Sequence, residues 1–401
     1  MRIALVSEHA SPLAPVGGVD AGGQNVHVAE LAAALATLGH DITVYTRRAA
    51  AEGPGTIRMA RGVTIEHVPA GPPRPLSKDE LLPHMPAFAA HLARRWEAER
   101  PDVAHAHFWM SGWAALMAAG DLGIPVVQTF HALGTVKRRW QGAADTSPPS
   151  RVAIEYDIGQ RAAAVIATCA DEVRELAAMG VPADRVTVVP CGVDLGAFRP
   201  DGPIRRHPGN TGHVRILGMG RLVPRKGFDT IIEALAQVPG ADLVIAGGEP
   251  GDRESARLRD LATSAGLDGR VRLIGGVERA DVPALLRSVQ VVVNVPWYEP
   301  FGMVPLEAMA CGVTVVASAV GGHLDTVAGC GVLVPPRRPR VLAETLRDLL
   351  ARPDLRASLA TSGMWRARTR YGWAGVAERT FEVYRRLTGG RVPTLAPAES
   401  R

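Results

Sequence analysis

Strand-like apolar runs alternate with helical stretches along almost the whole chain, and the pattern runs its course twice. A chain that alternates in this way is restricted to α/β architectures built on parallel sheets. In the first half the strand candidates are Ile3–Ser7, Asp41–Tyr45, Val63–Val68, Val103–His105, Pro125–Thr129, Ala164–Ala167 and Val186–Val189. The pattern restarts with Val214–Met219, Asp242–Ala246, Val271–Ile274, Val291–Val295 and Thr314–Ala317. Between the halves, residues 201–212 are rich in turn formers, chiefly glycine and proline, and read as a linker. Two Rossmann-like, doubly wound domains are therefore expected, residues 1–200 and 201–370. A helix over 371–390 (its clearest part Trp373–Leu387) is expected to return to the first domain, with a tail at 391–401. The clearest early helix is Gln24–Leu38, ending at Gly39, a residue suited to a left-handed cap.

At 401 residues the chain is too long for one ordinary core, which agrees with two domains. No apolar run reaches the roughly 18 residues a membrane span needs, so stable membrane insertion is not expected. Met1–Ser7 reads as a buried first strand with no leader peptide pattern. Cys169, Cys191, Cys311 and Cys330 are scattered with no CxxC pair, which fits free thiols and a cytoplasmic location. The net charge of +5 comes from dispersed arginines without interleaved aromatics, so no nucleic acid partner is expected. Only three of the 45 basic residues are lysines: Lys78, Lys137 and Lys226. A lysine kept in an arginine-rich chain marks a place suited to a compact ammonium, as at phosphates.

Open parallel sheets bind ligands beyond their strand C-termini, so two facing sheets place the site in an interdomain cleft. Three segments carry suitable chemistry there. Gly22-Gly23-Gln24-Asn25 follows the first strand and opens a helix, a geometry that lets backbone approach an anion. Gly220-Arg221, with Lys226 five residues on, follows Val214–Met219 and supplies two cations of the kind that grip phosphate. Glu299-Pro300-Phe301-Gly302, with Glu307 beyond, follows Val291–Val295 and supplies two carboxylates able to accept hydrogen bonds from hydroxyls. Together these form a kit for a sugar nucleotide. His105 and His107 are two residues apart with no further ligands at metal-binding spacing, so no metal and no cofactor are expected.

With these motifs, and with Val189-Pro-Cys-Gly-Val-Asp194 and Phe198 between the halves, the chain resembles the retaining glycosyltransferases of family 4, which have the GT-B fold. The likeness runs roughly from Arg2 to Leu387. Asp20-Ala-Gly-Gly-Gln-Asn25, His105-Ala-His-Phe-Trp-Met-Ser-Gly112 and Thr129-Phe-His131 resemble the inositol-phosphate branch of that family. The resemblance implies that Gly23 backbone meets the donor diphosphate while Arg221 and Lys226 neutralise it. Glu299 and the amides of the Phe301-Gly302 turn would hold the transferred sugar, Glu307 the ribose, and main chain at Val277 the base. His131 would sit near the reacting carbon. It also implies a nucleoside-diphosphate sugar as substrate, a UDP-sugar such as UDP-GlcNAc favoured over a GDP-sugar. Front-face attack would retain configuration, with the leaving phosphate taking the acceptor's proton.

On the acceptor side, the branch surrounds a phosphate with an asparagine, a lysine, a tyrosine, a threonine and an arginine. The matching positions carry Asn25, Lys78, Phe108, Ala132 and Arg151, so both hydroxyls are missing, and His9 and Asp20 remain to contact acceptor hydroxyls. Each lost hydrogen bond to a charged phosphate is worth about 1.5–3 kcal/mol, which argues against inositol phosphate itself. A small polar acceptor is expected, and the Lys78/Arg151 pair favours an anionic one. Other readings are a natural-product enzyme acting on an antibiotic precursor or small thiol, a sugar-nucleotide epimerase, and a non-catalytic sugar-nucleotide sensor. A homodimer is compatible with all of them.

Overall fold

The structure is a computed structural model, and it describes residues 1–14, 22–205, 213–249 and 251–389. Asp20, most of the expected linker and the expected tail lie outside the described residues.

The first sheet has eight strands: β1 (Arg2–Val6), β2 (Asp41–Arg47), β3 (Thr56–Ala60), β4 (Val63–Val68), β5 (Val103–His107), β6 (Val126–Thr129), β7 (Ala164–Ala167) and β8 (Val186–Val188). Their spatial order is β3-β4-β2-β1-β5-β6-β7-β8, parallel except for β3 against β4. The second has six: β9 (Val214–Met219), β10 (Ala241–Ala246), β11 (Val271–Leu273), β12 (Val291–Asn294), β13 (Thr314–Ser318) and β14 (Val332–Val334), in the order β11-β10-β9-β12-β13-β14, all parallel. Every expected strand forms, within about two residues at either end. Two strands escape the sequence reading. β3 is an edge strand whose residues alternate between exposed and half-buried, so it carries no apolar run, and β14 is only three residues long.

Helices cover both faces of each sheet, so successive strand residues bury into different cores. In β1, Ala4 and Val6 pack with Phe88, Trp96 and Trp109, whereas Ile3 and Leu5 pack with Val28, Leu31 and Tyr384. The early helix spans Gly23–Thr37, and Gly39 adopts φ +87°, the left-handed stop expected there. Tyr384 belongs to the helix Trp373–Leu387, which packs on the first sheet's helix Gly23–Thr37 and sends its hydroxyl 2.6 Å from His105 Nδ1. The chain thus crosses between the sheets twice, and the crossings run side by side: Val193 N–H donates to Tyr371 O at 2.7 Å.

Topology fixes where function can sit. In the first sheet the order reverses between β1 and β5, in the second between β9 and β12. Crevices at such switch points accept ligands, and the loops leaving these four strands carry His9, Phe108, Arg221 and Glu299.

Candidate active site

The two switch points approach each other. A side chain on Gly22 would come 4.0 Å from Arg221 Nε, and one on Gly23 would come 3.1 Å from Met303 Sδ. Bare glycine backbone at the start of the helix Gly23–Thr37 therefore lies against the cationic loop of the opposite domain. Behind Arg221, the Pro224–Lys226 turn ends at Gly227 (φ +74°), where a Cβ would fall 2.2 Å from Val295 O. Only glycine fits, and this close approach brings Lys226 beside the end of β12.

There Lys226 Nζ lies 2.5 Å from Glu299 Oε2. Burial lowers the pKa of the ammonium, with Glu299 opposing. Burial also works against the Glu299 charge, but Lys226, and then His323, hold this carboxyl below its usual range. Each partner thus supports the other's charge against burial. The Glu299–Gly302 turn is pinned from beneath: Gly322 N–H donates to Glu299 O at 3.1 Å, and a Cβ on Gly302 (φ +92°) would collide with His323 at 2.5 Å. His323 Nδ1 meets Ser318 O, while its buried Nε2 has no hydrogen-bond partner among the described residues. Phe301 is buried in the second domain's core, and Gly302 starts the helix Met303–Ala310. Glu307, on that helix, is buried and pairs with Arg279 at 2.5 Å; burial raises its pKa against that arginine. Arg279 itself stacks over Phe198 and escaped the sequence reading. Val277 is half-buried in the loop after β11, packed against the same core.

Across the cleft, Phe108 and His131 end the neighbouring strands β5 and β6, and both have positive φ, +81° and +58°. Strained backbone of this kind persists where surroundings over-determine it, as at ligand sites. Phe108 N–H donates to Thr129 O, and Gln128 Nε2 donates to Phe108 O. His131 Nε2 lies 2.9 Å from His107 Nδ1, leaving Nδ1 as its other ring nitrogen, and burial keeps the ring neutral. The fold adds what spacing did not: His27 joins His107 and His131 in a group whose nitrogens lie within 4.8 Å of one another. Such a set could hold a soft divalent ion; here its rings pack on each other, and His27 Nδ1 lies 3.1 Å from Cys191 Sγ.

The expected acceptor residues are less free than their types suggested. Asn25 is buried, accepting from Gly22 N–H and donating to Ser11 O, so it ties Ser11 to Gly22. Arg151 is buried against Glu155 at 2.7 Å and donates to Ala132 O at 2.6 Å, with its guanidinium 5.1 Å from the Phe108 ring centre. Its charge is already balanced, which removes one support for an anionic acceptor. Lys78 is half-buried on the short turn Lys78–Glu80. Lys137 is bound to Asp145 and Ser147, both at 2.8 Å, bracing the following loop. His9 Nδ1 meets Glu8 Oε1 at 2.7 Å, and its ring sits edge-on to Phe108. Glu8 is buried and also accepts from the Ser111 hydroxyl. It is a carboxylate directly beyond a strand end, a signal the sequence offered and the motif reading passed over.

This chain matches the family described as Glycosyltransferase Family 4 over residues 21–197 and Glycosyl transferases group 1 over residues 204–364. It is 36% identical to the D-inositol 3-phosphate glycosyltransferase of Kineococcus radiotolerans, covering 97% of this chain and 96% of that one. With the corresponding protein of Xylanimonas cellulosilytica it shares 37%, covering 97% and 98%. The chain belongs to glycosyltransferase family 4. Among solved structures, sucrose-phosphate synthase from Thermosynechococcus elongatus superposes with a TM-score of 0.89 at 30% identity, covering 97% of this chain and 99% of that one. WaaG, a glycosyltransferase involved in lipopolysaccharide biosynthesis, shares the fold at 18% identity with a TM-score of 0.69, covering 97% and 100%. The architecture is GT-B, and the protein is a glycosyltransferase. No described helix is long and apolar enough to cross a membrane.

Proposed function

We propose that this family-4 enzyme transfers a sugar, with retention of configuration, from a nucleoside-diphosphate sugar to a small polar acceptor. The observation that carries the reading is the meeting of Gly22 backbone with Arg221 across the cleft, and of Gly23 with Met303, beside the Lys226–Glu299 pair. Helix N-terminal amides and two cations converge there, as a leaving diphosphate requires. The flexible Lys226 ammonium can serve both Glu299 and a phosphate oxygen. Glu299, kept ionised, accepts from hydroxyls of the transferred sugar, with the Phe301-Gly302 amides alongside. Glu307, oriented by Arg279, takes the ribose, and backbone near Val277 meets the base.

In the transfer step the bond between the anomeric carbon and the diphosphate oxygen breaks. The acceptor oxygen bonds to the same face of that carbon, and its proton passes to the departing phosphate. Arg221 and Lys226 supply the countercharge, so no step is routed through a metal. His131, neutral at physiological pH, acts through a hydrogen bond from Nδ1 and not as a cation. A UDP-sugar such as UDP-GlcNAc is the favoured donor. The two relatives named above are called D-inositol 3-phosphate glycosyltransferases, but Phe108, Ala132 and the compensated Arg151 make phosphate recognition weaker here, and another acceptor is proposed.

Binding to the folded state raises apparent stability, so the test is a thermal-shift panel of UDP, GDP, ADP and their sugar conjugates. A shift confined to one nucleotide series, followed by sugar transfer from that donor, is expected. Absence of any shift would overturn the donor site.

A further inference from the structure

A cavity of about 240 Å³ opens between the domains beside Glu299 and Pro300. It exceeds the roughly 150 Å³ that accommodates a benzene ring. Its walls are Leu133, Val136 and Trp140 from the helix Gly134–Gln141 and its approach, with Tyr298 and Val320 from the loops after β12 and β13 and Leu324 from the short helix His323–Thr326. Gln141 Nε2 bonds the Tyr298 hydroxyl at 2.6 Å, and Cys169 Sγ lies 3.3 Å from Pro300 O, so contacts between the domains frame it.

Charge in this cavity is unbalanced. Its lining holds four carboxylates, Asp171, Glu172, Glu175 and Glu299, against one cation, Arg139. Three of the four have cationic partners: Asp171 with Arg174, Glu175 with Arg139 through two bonds of 2.6 and 2.9 Å, and Glu299 with Lys226. Glu172 has none. It is 8% exposed, its Oε2 accepts from Thr168 N–H and hydroxyl at 2.7 Å, and its Oε1 has no hydrogen-bond partner among the described residues. A buried carboxylate oxygen left this way costs free energy that a cationic donor recovers. Burial raises the pKa of Glu172, opposed by the two Thr168 bonds and by its position in the first turn of the helix Ala170–Ala178, which favours the charged form.

We propose that this cavity receives the acceptor, and that the acceptor is a hydroxylated ring bearing an ammonium group, held by Glu172 Oε1 with its carbon face against Trp140 and Leu324. The inference rests on the glycosyltransferase reading above and names the acceptor class for it. Hydroxyls on such a ring lie near Glu299, where the anomeric carbon is held.

Glucosamine and glucose are matched probes that differ in the amine. Titration calorimetry on the full-length protein, with and without saturating UDP, should show glucosamine bound about tenfold tighter, equivalent to about 1.4 kcal/mol. Glu172→Gln keeps the Thr168 contacts and should bring the two probes to equal affinity, with the UDP thermal shift unchanged. Leu324→Trp, at an exposed rim position, should weaken both. Equal binding by the wild type, or a preference that survives Glu172→Gln, overturns the proposal while leaving UDP binding to speak for the donor site. The same preference found instead between UDP-glucosamine and UDP-glucose would assign the cavity to the donor sugar and overturn the acceptor role. Loss of any UDP response in the wild type would overturn the underlying reading as well.

Discussion

Acid should unfold this protein earlier than its carboxylates alone would require, because three buried histidine rings and a half-buried fourth are held uncharged in the first domain. His105 and His107 lie with ring centres 4.2 Å apart, and His131 and His27 pack around His107. Burial lowers His27 from an ordinary pKa of 6.5 to about 4, and burial with His27 nearby lowers His105 to about 3. His107 and His131 shift the same way. A folded pKa below the unfolded one means the unfolded chain binds more protons as pH falls. The stability these rings permit is complete above about pH 6.5 and is lost progressively from there towards the folded values. At pH 5 the penalty is about 2 kcal/mol for each of His27 and His105, about 4 kcal/mol together, with His107 and His131 adding to it. Against a typical total of about 5–15 kcal/mol, that is a large share. Glu155, Glu172 and Glu307 act in the opposite sense, since burial raises each of them, and their offset sets in as pH falls through those raised values. Urea unfolding followed by tryptophan fluorescence at pH 7.5, 6 and 5 measures the slope directly, and histidine C2–H chemical shifts report the protonation of each ring. Stability that is flat between pH 7 and 5, or imidazolium signals from these rings in the folded protein at pH 6, would refute the argument.

Lys226→Met should lower stability by about 3 kcal/mol by leaving Glu299 buried without its partner, and should abolish the UDP thermal shift, whereas Glu299→Gln should keep that shift but lose sugar transfer. A normal UDP shift in Lys226→Met would remove this lysine from the diphosphate site. Gly302→Ala meets both a φ of +92° and the His323 ring, so a loss of about 1–3 kcal/mol is expected in denaturant titration, together with slower transfer; wild-type behaviour would mean the turn is more pliant than its contacts indicate. Phe108→Tyr combined with Ala132→Thr restores two hydroxyls beside Arg151 and should tighten binding of a phosphorylated cyclitol in calorimetry; no gain would show that these positions do not face the acceptor.

What the sequence disclosed and what it hid follow one physical line. Strands buried on both faces are continuous apolar runs, so they are legible; β3, an edge strand with polar residues between half-buried ones, is not. Arg221, Lys226 and Glu299 were legible because strand-end position and charge type together define the chemistry, and the fold then sets Lys226 against Glu299. What composition cannot reveal is whether a charge has already been used. Arg151 has the type of an anion ligand, yet Glu155, four residues along the same helix, takes its charge. Lys137 is consumed in the same way by Asp145. Glu172 is the reverse case. In sequence it is an ordinary acidic residue in the first turn of a helix, and only the fold shows one oxygen satisfied by Thr168 and the other lacking a donor among the described residues, in the wall of a cavity between the domains. The proposed donor site uses charges at topologically fixed strand ends, so it can be read from one dimension. The proposed acceptor site depends on which charges remain after intramolecular pairing, so the proposed acceptor class rests on Glu172 and the oxygen that lacks a partner among the described residues.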